Sequence, residues 1–572
     1  MSFLEQYNKW IDKADKATIE ELIAIKDNNS EIEDRFYQVL NFGTAGLRGI
    51  MAAGTNRMNK YVIGQATKAL AQVILEEKRQ DEGVAIAYDC RINSKAFAKH
   101  CASIFASNGI KVYIFDDLRP TPELSFAIRY LKTVSGVNVT ASHNPKEYNG
   151  YKVYWDEGSQ ILDNIALRVQ EKIKAIDLFD NKGIMAFEEG IEKGLINIIG
   201  DEIDEEYSKQ VLALKLNDVN VNKNINIVYT PFNGTGIKFI PDILRKRGFN
   251  NIVLVKEQEH PDGNFPTLPY PNPEESKNFE YALKYAVKNN ADIILASDPD
   301  ADRIAIMIKD NGDNYIPLNG NQTGILLINY ILSQRSKQGL NKSNDVMVKT
   351  IVTGDMGIEI SKNFKVSTME TLTGFKHICG LANEFEKTKQ YNYVFGFEES
   401  IGYCPETFCR DKDAVSTAML LCEMCGYYMA QNKTMYQVLY ELYEKYGYYK
   451  ETQFAIFYKG LEGAVIKESV MKEYRRNYPK ELANTKLIQK IDYLNDNTGI
   501  PKSNVLKYRF EDGSWYAIRP SGTEPKLKIY IYTIDKNEKV SLDKLNKFES
   551  ELKQILKNIE RSIINDKNIS GR

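Results

Sequence analysis

The chain is poor in histidine and cysteine, and it has no excess of positive charge. It contains 4 histidines and 7 cysteines in 572 residues, and the cysteines are odd in number and widely spaced. That pattern does not describe a disulfide framework, so we expect a reducing compartment. Lys and Arg number 75 against 77 Asp and Glu, a formal net charge of -2. No global field draws such a chain to nucleic acid or anionic membrane, so any phosphate recognition must be local.

Long apolar runs are also lacking. No stretch approaches the ~20 apolar residues of a membrane-spanning helix, and the N-terminal MSFLEQYNKWIDKADK lacks the apolar core of a signal peptide. We therefore expect a cytoplasmic protein with no membrane and no nucleic acid among its partners; its oligomeric state stays open. Cys422 and Cys425 have C-x-x-C spacing, but in the apolar run AMLLCEMCGYYMA this spacing places them on one buried helix face. Without a second pair, packing is favoured over a zinc or redox role.

Length and periodicity together predict several domains. A chain of 572 residues exceeds the size at which one hydrophobic core keeps growing. After a helical N-terminal region, short apolar runs alternate with amphipathic ones in three blocks, which is typical of parallel sheets flanked by helices. The last block is instead rich in strand-like runs. We predict an α/β fold of four domains around a central cleft: three related α/β domains with mixed or parallel sheets at 1–208, 209–316 and 317–445, and a C-terminal α+β domain at 446–572.

Four polar loops mark the candidate site. Each follows a strand-like run: VNVT precedes ASHNPK, IILA precedes SDPDADR, YVFG precedes FEES, and YAIR precedes PSGTEPK. In open α/β sheets, ligands bind outside the carboxyl ends of the strands. One such loop in each predicted domain therefore indicates a shared cleft.

The loop DPDADR has the chemistry of a magnesium site. Its alternate carboxylates Asp298, Asp300 and Asp302, turned by Pro299, can aim three hard oxygen ligands at one point, and without a cation they would repel one another. The loop lacks the glycine and the distal glutamate of an EF-hand. A solvated acidic turn is the alternative, and the buried-type strand before the loop and Arg303 after it argue against that.

The stretch TASHNPKEYNGYK offers Ser142 as a nucleophile. A serine needs activation, either in a hydrolase triad or in phosphoryl chemistry beside a metal, and this stretch lacks both glycines of the hydrolase elbow G-x-S-x-G. His143 is adjacent, but neighbouring side chains of an extended segment point apart. A loop hydrogen bond and a role in protonation or phosphate contact both stay open for it. Lys152, after the predicted NGYK turn, is either a cation of the cleft or an exposed lysine on a strand.

The remaining loops suit a sugar phosphate. In GFEES, Glu398 and Ser400 can hydrogen-bond to sugar hydroxyls, although a solvated acidic turn would look the same. The glycine-rich FGTAGLRG at 42–49 places Arg48 as a further cation for phosphate. RPSGTEPKLK gathers a phosphate cradle, with an ordinary turn as the alternative. The cradle residues are Arg519, Ser521, Gly522, Thr523 and Lys526.

Together these loops resemble the α-D-phosphohexomutase superfamily over nearly the whole chain and in family order. TASHNPKEYNGYK resembles its phosphoserine loop, DPDADR its metal loop, GFEES its sugar-binding loop and RPSGTEPK its phosphate-binding loop. GTAGLRG and TLTGFKHI at 371–378 are most similar to the branch that contains phosphoglucomutase-2 and phosphopentomutase. Phe397 and His377 depart from patterns common in the family, which leaves the preferred sugar open.

The resemblance implies an isomerase that moves a phosphoryl group within a sugar phosphate. It implies a phosphorylated Ser142, one Mg²⁺ per chain bound by Ser142 and the three aspartates, and glucose 1,6-bisphosphate as intermediate and activator. The implied catalytic residues are Ser142, His143, Lys152, Arg48 and Lys412 of RDKDA. The implied substrate-binding residues are Arg303, Thr373, Gly374, Lys376, Glu398 and Ser400, with the cradle residues Arg519, Ser521, Gly522, Thr523 and Lys526.

The expected reaction is the interconversion of glucose 1-phosphate and glucose 6-phosphate. Phosphopentomutase and phosphomannomutase activities are the nearest alternatives. A non-catalytic sugar-phosphate sensor and a metal-dependent phosphatase are alternatives from other classes. The intact Ser142 and the three aspartates argue against a sensor.

Overall fold

The computed structural model describes residues 2–43, 46–180, 183–458, 460–521 and 526–570. Its α-helices are α1 Phe3–Lys13, α2 Lys16–Ile23, α3 Asn29–Phe36, α4 Lys60–Glu76, α5 Ser94–Ser107, α6 Thr121–Leu131, α7 Asp163–Ala175, α8 Phe187–Glu192, α9 Asp201–Ala213, α10 Ile240–Lys246, α11 Glu280–Asn289, α12 Gly320–Lys337, α13 Met356–Asn363, α14 Phe375–Thr388, α15 Ala414–Met429, α16 Met435–Tyr446, α17 Gly460–Arg476 and α18 Glu538–Ser570. Its strands are β1 Gly46–Ile50, β2 Val84–Tyr88, β3 Val112–Phe115, β4 Ser135–Val139, β5 Tyr148–Trp155, β6 Ile196–Ile199, β7 Ile227–Thr230, β8 Ile252–Leu254, β9 Ile293–Ser297, β10 Ile304–Lys309, β11 Tyr315–Leu318, β12 Asp345–Thr350, β13 Ser367–Thr371, β14 Asn392–Glu398, β15 Gly402–Cys404, β16 Tyr448–Phe457, β17 Glu481–Leu482, β18 Thr485–Asp492, β19 Leu506–Phe510, β20 Trp515–Pro520 and β21 Lys526–Asp535.

The chain forms two compact units. The first comprises residues 1–348 and 374–436, and the second comprises residues 349–373 and 437–572. In the first unit, one sheet has the order β1-β5-β4-β2-β3-β6, a second has the order β11-β10-β9-β7-β8, and a third contains β12, β14 and β15 in that order. In the second unit, an antiparallel sheet has the order β16-β21-β20-β19-β18-β17.

The sheets of the first unit are mixed. β2 pairs in parallel with both β3 and β4, whereas β5 is antiparallel to its neighbours β1 and β4. In the second sheet, β7 is parallel to β8 and β9, and β10 is antiparallel to β9. Strands buried on both faces should read as continuous apolar runs, and β2 (VAIAY) and β9 (IILAS) are buried at every position. The parallel strands therefore form the cores, and their carboxyl ends carry the loops of interest.

The N-terminal helices pack around one tryptophan. Trp10 is buried, and its ring makes edge contacts with Phe36, Tyr61 and Phe179 at centroid distances of 5.2 to 5.8 Å. Edge-to-face pairs of this kind add to the stabilisation from area burial. Because Tyr61 lies in α4, this cluster holds α1–α3 against the first sheet's flanking helix.

The elements predicted from periodicity are present, with one difference. The runs GVAIAYD, KVYIFDD and VSGVNVT are β2, β3 and β4, and the predicted helical start is α1–α3. The NGYK stretch was predicted to be a turn and instead lies inside β5. The reason is the close approach of the neighbouring strands: a Cβ on Gly150 would lie 2.4 Å from the Thr140 carbonyl oxygen and 3.0 Å from that of Leu47. Glycine at 150 therefore permits strand packing here and does not form a turn.

Two further predictions concern helices. Cys422 and Cys425 are both buried on α15, as the apolar run predicted. Within the described residues, none of the helices has the length and apolar character needed to cross a lipid bilayer.

We expect Gly150→Ala to destabilise the first unit. The new methyl group meets backbone carbonyl oxygens, which cannot rotate away, so the strands must separate at a cost of about 1–3 kcal/mol. Calorimetric melting measures the effect. The control is Gly380→Ala in α14, where a Cβ meets nothing within 4 Å and alanine should stabilise the helix by up to about 1 kcal/mol. Equal melting temperatures for the two variants would contradict the strand-packing explanation.

Candidate active site

Two loops with left-handed residues at their tips form the centre of the site. Ser142, after β4, has φ 52°, and Ala301, between β9 and β10, has φ 51°. A residue other than glycine in this conformation costs of order 1 kcal/mol or more. Short hydrogen bonds hold each turn: the Ser142 N–H donates to Thr140 Oγ1 at 2.9 Å, and the Ala301 N–H donates to the Asp298 carbonyl at 2.9 Å.

Ser142 lies between an aspartate and an imidazole. Its Oγ donates to Asp298 Oδ2 at 2.7 Å and lies 3.0 Å from His143 Nδ1. The side chains of Ser142 and His143 meet although they are neighbours, because the left-handed backbone at Ser142 breaks the alternation of an extended chain. Burial, reinforced by the charges of Arg303 and Arg48, lowers the pKa of His143 well below its usual value. Its imidazole is therefore neutral near pH 7.

The aspartate loop gathers three buried carboxylates. Asp298, Asp300 and Asp302 each offer an oxygen within 4.8 Å of the others. Lys152 on β5 reaches two of them, with Nζ 2.7 Å from Asp300 Oδ2 and 3.3 Å from Asp302 Oδ2. Lys412 Nζ lies 3.2 Å from Asp302 Oδ2. The structure thus brings Lys152, from a buried strand, and Lys412 together beside the aspartates.

Burial and the neighbouring charges together set the pKa values of these groups. Burial and the neighbouring carboxylates raise the pKa of Asp298 well above its usual value. Burial also opposes ionisation of Asp302, but Lys152 and Lys412 outweigh it and lower the pKa of Asp302. Both lysines have raised pKa values, because the carboxylates outweigh the effect of burial. Asp298 is therefore the carboxyl group that the protein's own cations compensate least.

The three aspartates fit a magnesium ion. Two carboxylate oxygens, Asp300 Oδ1 and Asp302 Oδ1, are buried and have no hydrogen-bond partner among the described residues. Such oxygens indicate that a ligand completes the site. Carboxylate oxygens are the hard ligands that Mg²⁺ prefers, whereas thiolates and imidazoles favour softer metals.

Arginine and lysine side chains line the same centre. Arg48 on β1 donates to Asn144 Oδ1 at 3.0 Å, so it reaches the loop of Ser142. Arg303 Nε lies 3.8 Å from Asp302 Oδ1. Lys412 is confined from one side by the backbone of Gly402, where a Cβ would lie 2.3 Å from the Lys412 Cδ. The contact explains why a glycine precedes the Tyr-Cys pair of β15.

Some of the predicted sugar-binding residues of the first unit contact one another. Glu398 ends β14, and its Oε1 accepts a 2.8 Å hydrogen bond from the Gly374 N–H. Ser400 lies in the turn that follows and is half-buried. Lys376 Nζ pairs with Asp163 Oδ1 at 3.0 Å. Glu398 and Gly374 therefore form one group, and the ammonium of Lys376 is directed to α7.

The second unit contains the remaining predicted residues. Arg519 lies on β20 opposite Lys528 of β21. The Ser521 N–H donates to the Lys526 carbonyl at 2.9 Å. Thr373 belongs to the 349–373 segment of the same unit. Gly522 and Thr523 lie outside the described residues.

Sequence reasoning missed Arg91. Its buried guanidinium donates to four backbone carbonyls of the Ser142 loop, packs on the Phe265 ring at 5.1 Å and pairs with Asp89 at 3.3 Å. The four carbonyls belong to Ser142, Asn144, Pro145 and Tyr148. A signal existed: Asp89-Cys90-Arg91 directly follows the strand-like run of β2, as the other loops follow their strands.

Sequence reasoning also missed Thr121, the first residue of α6. Its Oγ1 donates to Asp300 Oδ2 at 2.6 Å, and its N–H donates to the Asp300 carbonyl at 2.9 Å. Asn138 donates to Thr121 Oγ1 at 2.6 Å. Thr121 therefore orients a carboxylate of the aspartate loop. A threonine in this part of the sequence reads as an ordinary helix start, so no local signal points to this role.

We expect Thr121→Val to weaken divalent-cation binding by about 10- to 100-fold, because loss of a group that orients a metal ligand has costs of this size. Titration with Mn²⁺, followed by electron paramagnetic resonance, measures binding without turnover. The control is Thr67→Val, which removes a buried hydroxyl that donates to Ile63 and Cys101 in α4 and α5. Unchanged Mn²⁺ affinity in Thr121→Val would contradict the orienting role.

Comparison with known proteins gives matches along most of the chain. Family models described as phosphoglucomutase/phosphomannomutase alpha/beta/alpha domains I, II and III match residues 39–180, 205–312 and 319–446. The model of the C-terminal domain of the same family matches residues 475–543. A protein from Staphylococcus haemolyticus named phosphoglucomutase is 36% identical over 527 residues, which covers 90% of this chain and 94% of the relative.

Solved structures share the fold at lower identity. The phosphoglucomutase pp63/parafusin from Paramecium has a TM-score of 0.68 at 15% identity, covering 92% of this chain and 96% of that chain. A phosphoglucomutase/phosphomannomutase family protein from Burkholderia thailandensis has a TM-score of 0.65 at 15% identity, covering 90% and 97%. The chain therefore belongs to the phosphoglucomutase/phosphomannomutase family and is a mutase of the isomerase class with a four-domain α/β architecture.

Proposed function

We propose that the chain is a cytoplasmic phosphoglucomutase that interconverts glucose 1-phosphate and glucose 6-phosphate through a phosphorylated Ser142. The observation that carries the proposal is the 2.7 Å contact between Ser142 Oγ and Asp298 of the aspartate loop. It brings a nucleophilic oxygen to a cation-binding group. The names of the staphylococcal relatives support glucose as the sugar. We also propose the domain boundaries 1–208, 209–316, 317–445 and 446–572.

Ser142, Asp298, Asp300 and Asp302 are the proposed ligands of one Mg²⁺ per chain. When bound there, the ion supplies positive charge that stabilises the oxygens of the phosphoryl group in transfer. The buried oxygens without partners on Asp300 and Asp302 support this assignment.

The proposed reaction consists of two phosphoryl transfers. First, the C6 hydroxyl oxygen of glucose 1-phosphate attacks the phosphorus on Ser142, and the bond from phosphorus to Oγ breaks. The product is glucose 1,6-bisphosphate. After this intermediate turns over, Ser142 Oγ attacks the phosphorus at C1, which releases glucose 6-phosphate and restores the phosphoserine. Because such transfers need little covalent help beyond the serine, positioning and charge supply the rest of the catalysis.

Each transfer moves one proton, and His143 is the proposed relay. In the first transfer the sugar hydroxyl loses a proton and Ser142 Oγ gains one. Burial keeps the His143 imidazole neutral at neutral pH, so its ring can carry a proton to or from Ser142 Oγ, which lies 3.0 Å from Nδ1. Lys152 and Lys412 have raised pKa values and so stay protonated. With Arg48, they are proposed to stabilise the phosphoryl oxygens.

The other residues are proposed to hold the substrate. Carboxylate, hydroxyl and backbone groups suit the sugar hydroxyls, and guanidinium, hydroxyl and ammonium groups suit the phosphate that is not reacting. The proposed sugar group comprises Arg303, Thr373, Gly374, Lys376, Glu398 and Ser400. The proposed phosphate group comprises Arg519, Ser521, Gly522, Thr523 and Lys526.

We expect Ser142→Ala to lower kcat by about a thousandfold or more with glucose 1,6-bisphosphate present, because the phosphate carrier is lost. Intact-mass spectrometry should find one phosphoryl group on the wild type and none on the variant. The control is Ser333→Ala in α12, whose hydroxyl donates to the Tyr330 carbonyl. Substantial turnover by Ser142→Ala would exclude the proposed mechanism.

We expect kcat/KM for glucose 1-phosphate to exceed the values for mannose 1-phosphate and ribose 1-phosphate by at least about tenfold. The ratio of these constants is the measure of sugar specificity. A coupled assay on one enzyme preparation gives all three values. A higher value for ribose 1-phosphate would make the chain a phosphopentomutase, and a higher value for mannose 1-phosphate a phosphomannomutase.

Phosphate release by the same enzyme preparation distinguishes a mutase from a phosphatase and from a non-catalytic sensor. A phosphatase releases inorganic phosphate in proportion to substrate loss, and a sensor binds without turnover. We expect isomerisation with little phosphate release, because the phosphoryl group returns to Ser142. Phosphate release equal to substrate loss would overturn the mutase mechanism.

A further inference from the structure

A second group of potential metal ligands lies in the first unit, away from the aspartate loop. Cys404 at the end of β15, Glu406 and Cys409 each offer a ligand atom within 4.8 Å of the other two, and all three residues are buried. Cys409 Sγ lies 3.0 Å from Glu406 Oε1. Cys379 on α14 is also buried and neighbours Cys404, but its sulfur lies outside the group whose ligand atoms share the 4.8 Å limit. The cysteines of this group are free thiols.

Glu406 distinguishes this group from ordinary buried cysteines. Its side chain is 4% exposed, and among the described residues its carboxylate hydrogen-bonds to the Cys409 thiol and the Ser416 hydroxyl but forms no ion pair. A buried carboxyl group without a cation must either carry a large desolvation cost or hold a proton, and a bound cation would replace that proton. Cysteines on their own pack as small apolar residues, and Cys422 and Cys425 on α15 do so. They have no such carboxylate beside them.

We propose that Cys404, Glu406 and Cys409, with Cys379 as the fourth ligand once its side chain turns toward them, form a structural zinc site at the base of the loop that carries Lys412. Three sulfurs and one carboxylate oxygen then give the closed, four-coordinate arrangement of structural Zn²⁺ sites. Zn–S bonds of about 2.3 Å place tetrahedral ligands about 3.8 Å apart, so small side-chain rotations would close Cys404, Glu406 and Cys409 on an ion, and Cys379 must move further to complete the four. Thiolate ligands select zinc over magnesium. Each thiol loses its proton to solvent as the ion binds.

The position of the group indicates that a bound ion would stabilise the segment that leads to Lys412. The chain from Cys404 to Cys409 leads directly to Lys412, which contacts Asp302, and Cys409 Sγ lies 3.5 Å from the Asp411 carbonyl. The described residues of this segment have no regular secondary structure between β15 and α15. A bound ion would hold the backbone of this segment in place between the end of β15 and the start of α15. The zinc proposal does not rest on the proposed function, because its ligands are separate from the aspartates.

The test is metal analysis of full-length protein purified from zinc-supplemented cells. We expect about one zinc per chain, and loss of most of it in Cys409→Ser. The control is Cys101→Ser in α5, another buried cysteine, whose sulfur accepts a hydrogen bond from Thr67 that serine can also accept. Cys409→Val keeps an apolar side chain of similar size at this position, so it tests the site if the serine variant fails to fold.

Substitution with Co²⁺ separates this site from the aspartate loop. Cobalt bound by thiolates shows an intense charge-transfer absorption, and cobalt bound by carboxylates does not. We expect this band in the wild type and in Cys101→Ser, and its loss in Cys409→Val. Absence of zinc and of the cobalt band in the wild type would overturn the proposal. So would a count of two fewer thiols than the seven of the sequence in denatured, unreduced protein, because a disulfide would then occupy the site.

Discussion

The repulsion between three buried carboxylates is the constraint on which the site depends. Asp298, Asp300 and Asp302 lie in one group, and unpaired charges at such depth are strongly unfavourable. Two buried lysines from different segments offset this repulsion, Lys152 from β5 and Lys412 from the loop before α15. Lys152 lies two residues after Gly150, where β5 packs closely against the backbone at Thr140 and Leu47.

Backbone hydrogen bonds join the loops of three sheets around this charge. The Thr121 N–H donates to the Asp300 carbonyl, the Ala414 N–H to the Ala301 carbonyl, and the Ile304 N–H to the Ile401 carbonyl. These donors and acceptors lie at the starts of α6, β10 and α15 and in the loops after β9 and β14. Because these bonds use main-chain groups, they do not depend directly on the chemical type of the side chains at these positions.

The sequence was sufficient for the fold class and for the loops that carry chemistry. Alternating runs predicted the strands, and the rule that ligands lie at strand carboxyl ends selected Ser142 and Asp298 together. It was insufficient wherever a contact depends on distant packing. The Asn-Gly pair before Lys152 has the local signal of a turn, and the contact of β5 with β1 and β4 overrides it. The role of Thr121 arises from a contact across the fold that no local pattern records, and the only signal for Arg91 was its place directly after the β2 run.

The left-handed backbone at Ser142 directs two side chains toward the carboxylate group. An extended residue at this position would point Oγ and the imidazole of His143 to opposite sides. In the observed conformation both groups face Asp298, at 2.7 Å for Oγ and 4.0 Å for Nδ1. The conformational cost is of order 1 kcal/mol, and the hydrogen bonds from Arg91 to the loop carbonyls oppose relaxation. The proposed phosphoryl transfer benefits from such rigidity, because displacement of a reacting oxygen by about 1 Å can cost two orders of magnitude in rate. The backbone strain therefore lies at the oxygen that the proposed mechanism requires to be fixed.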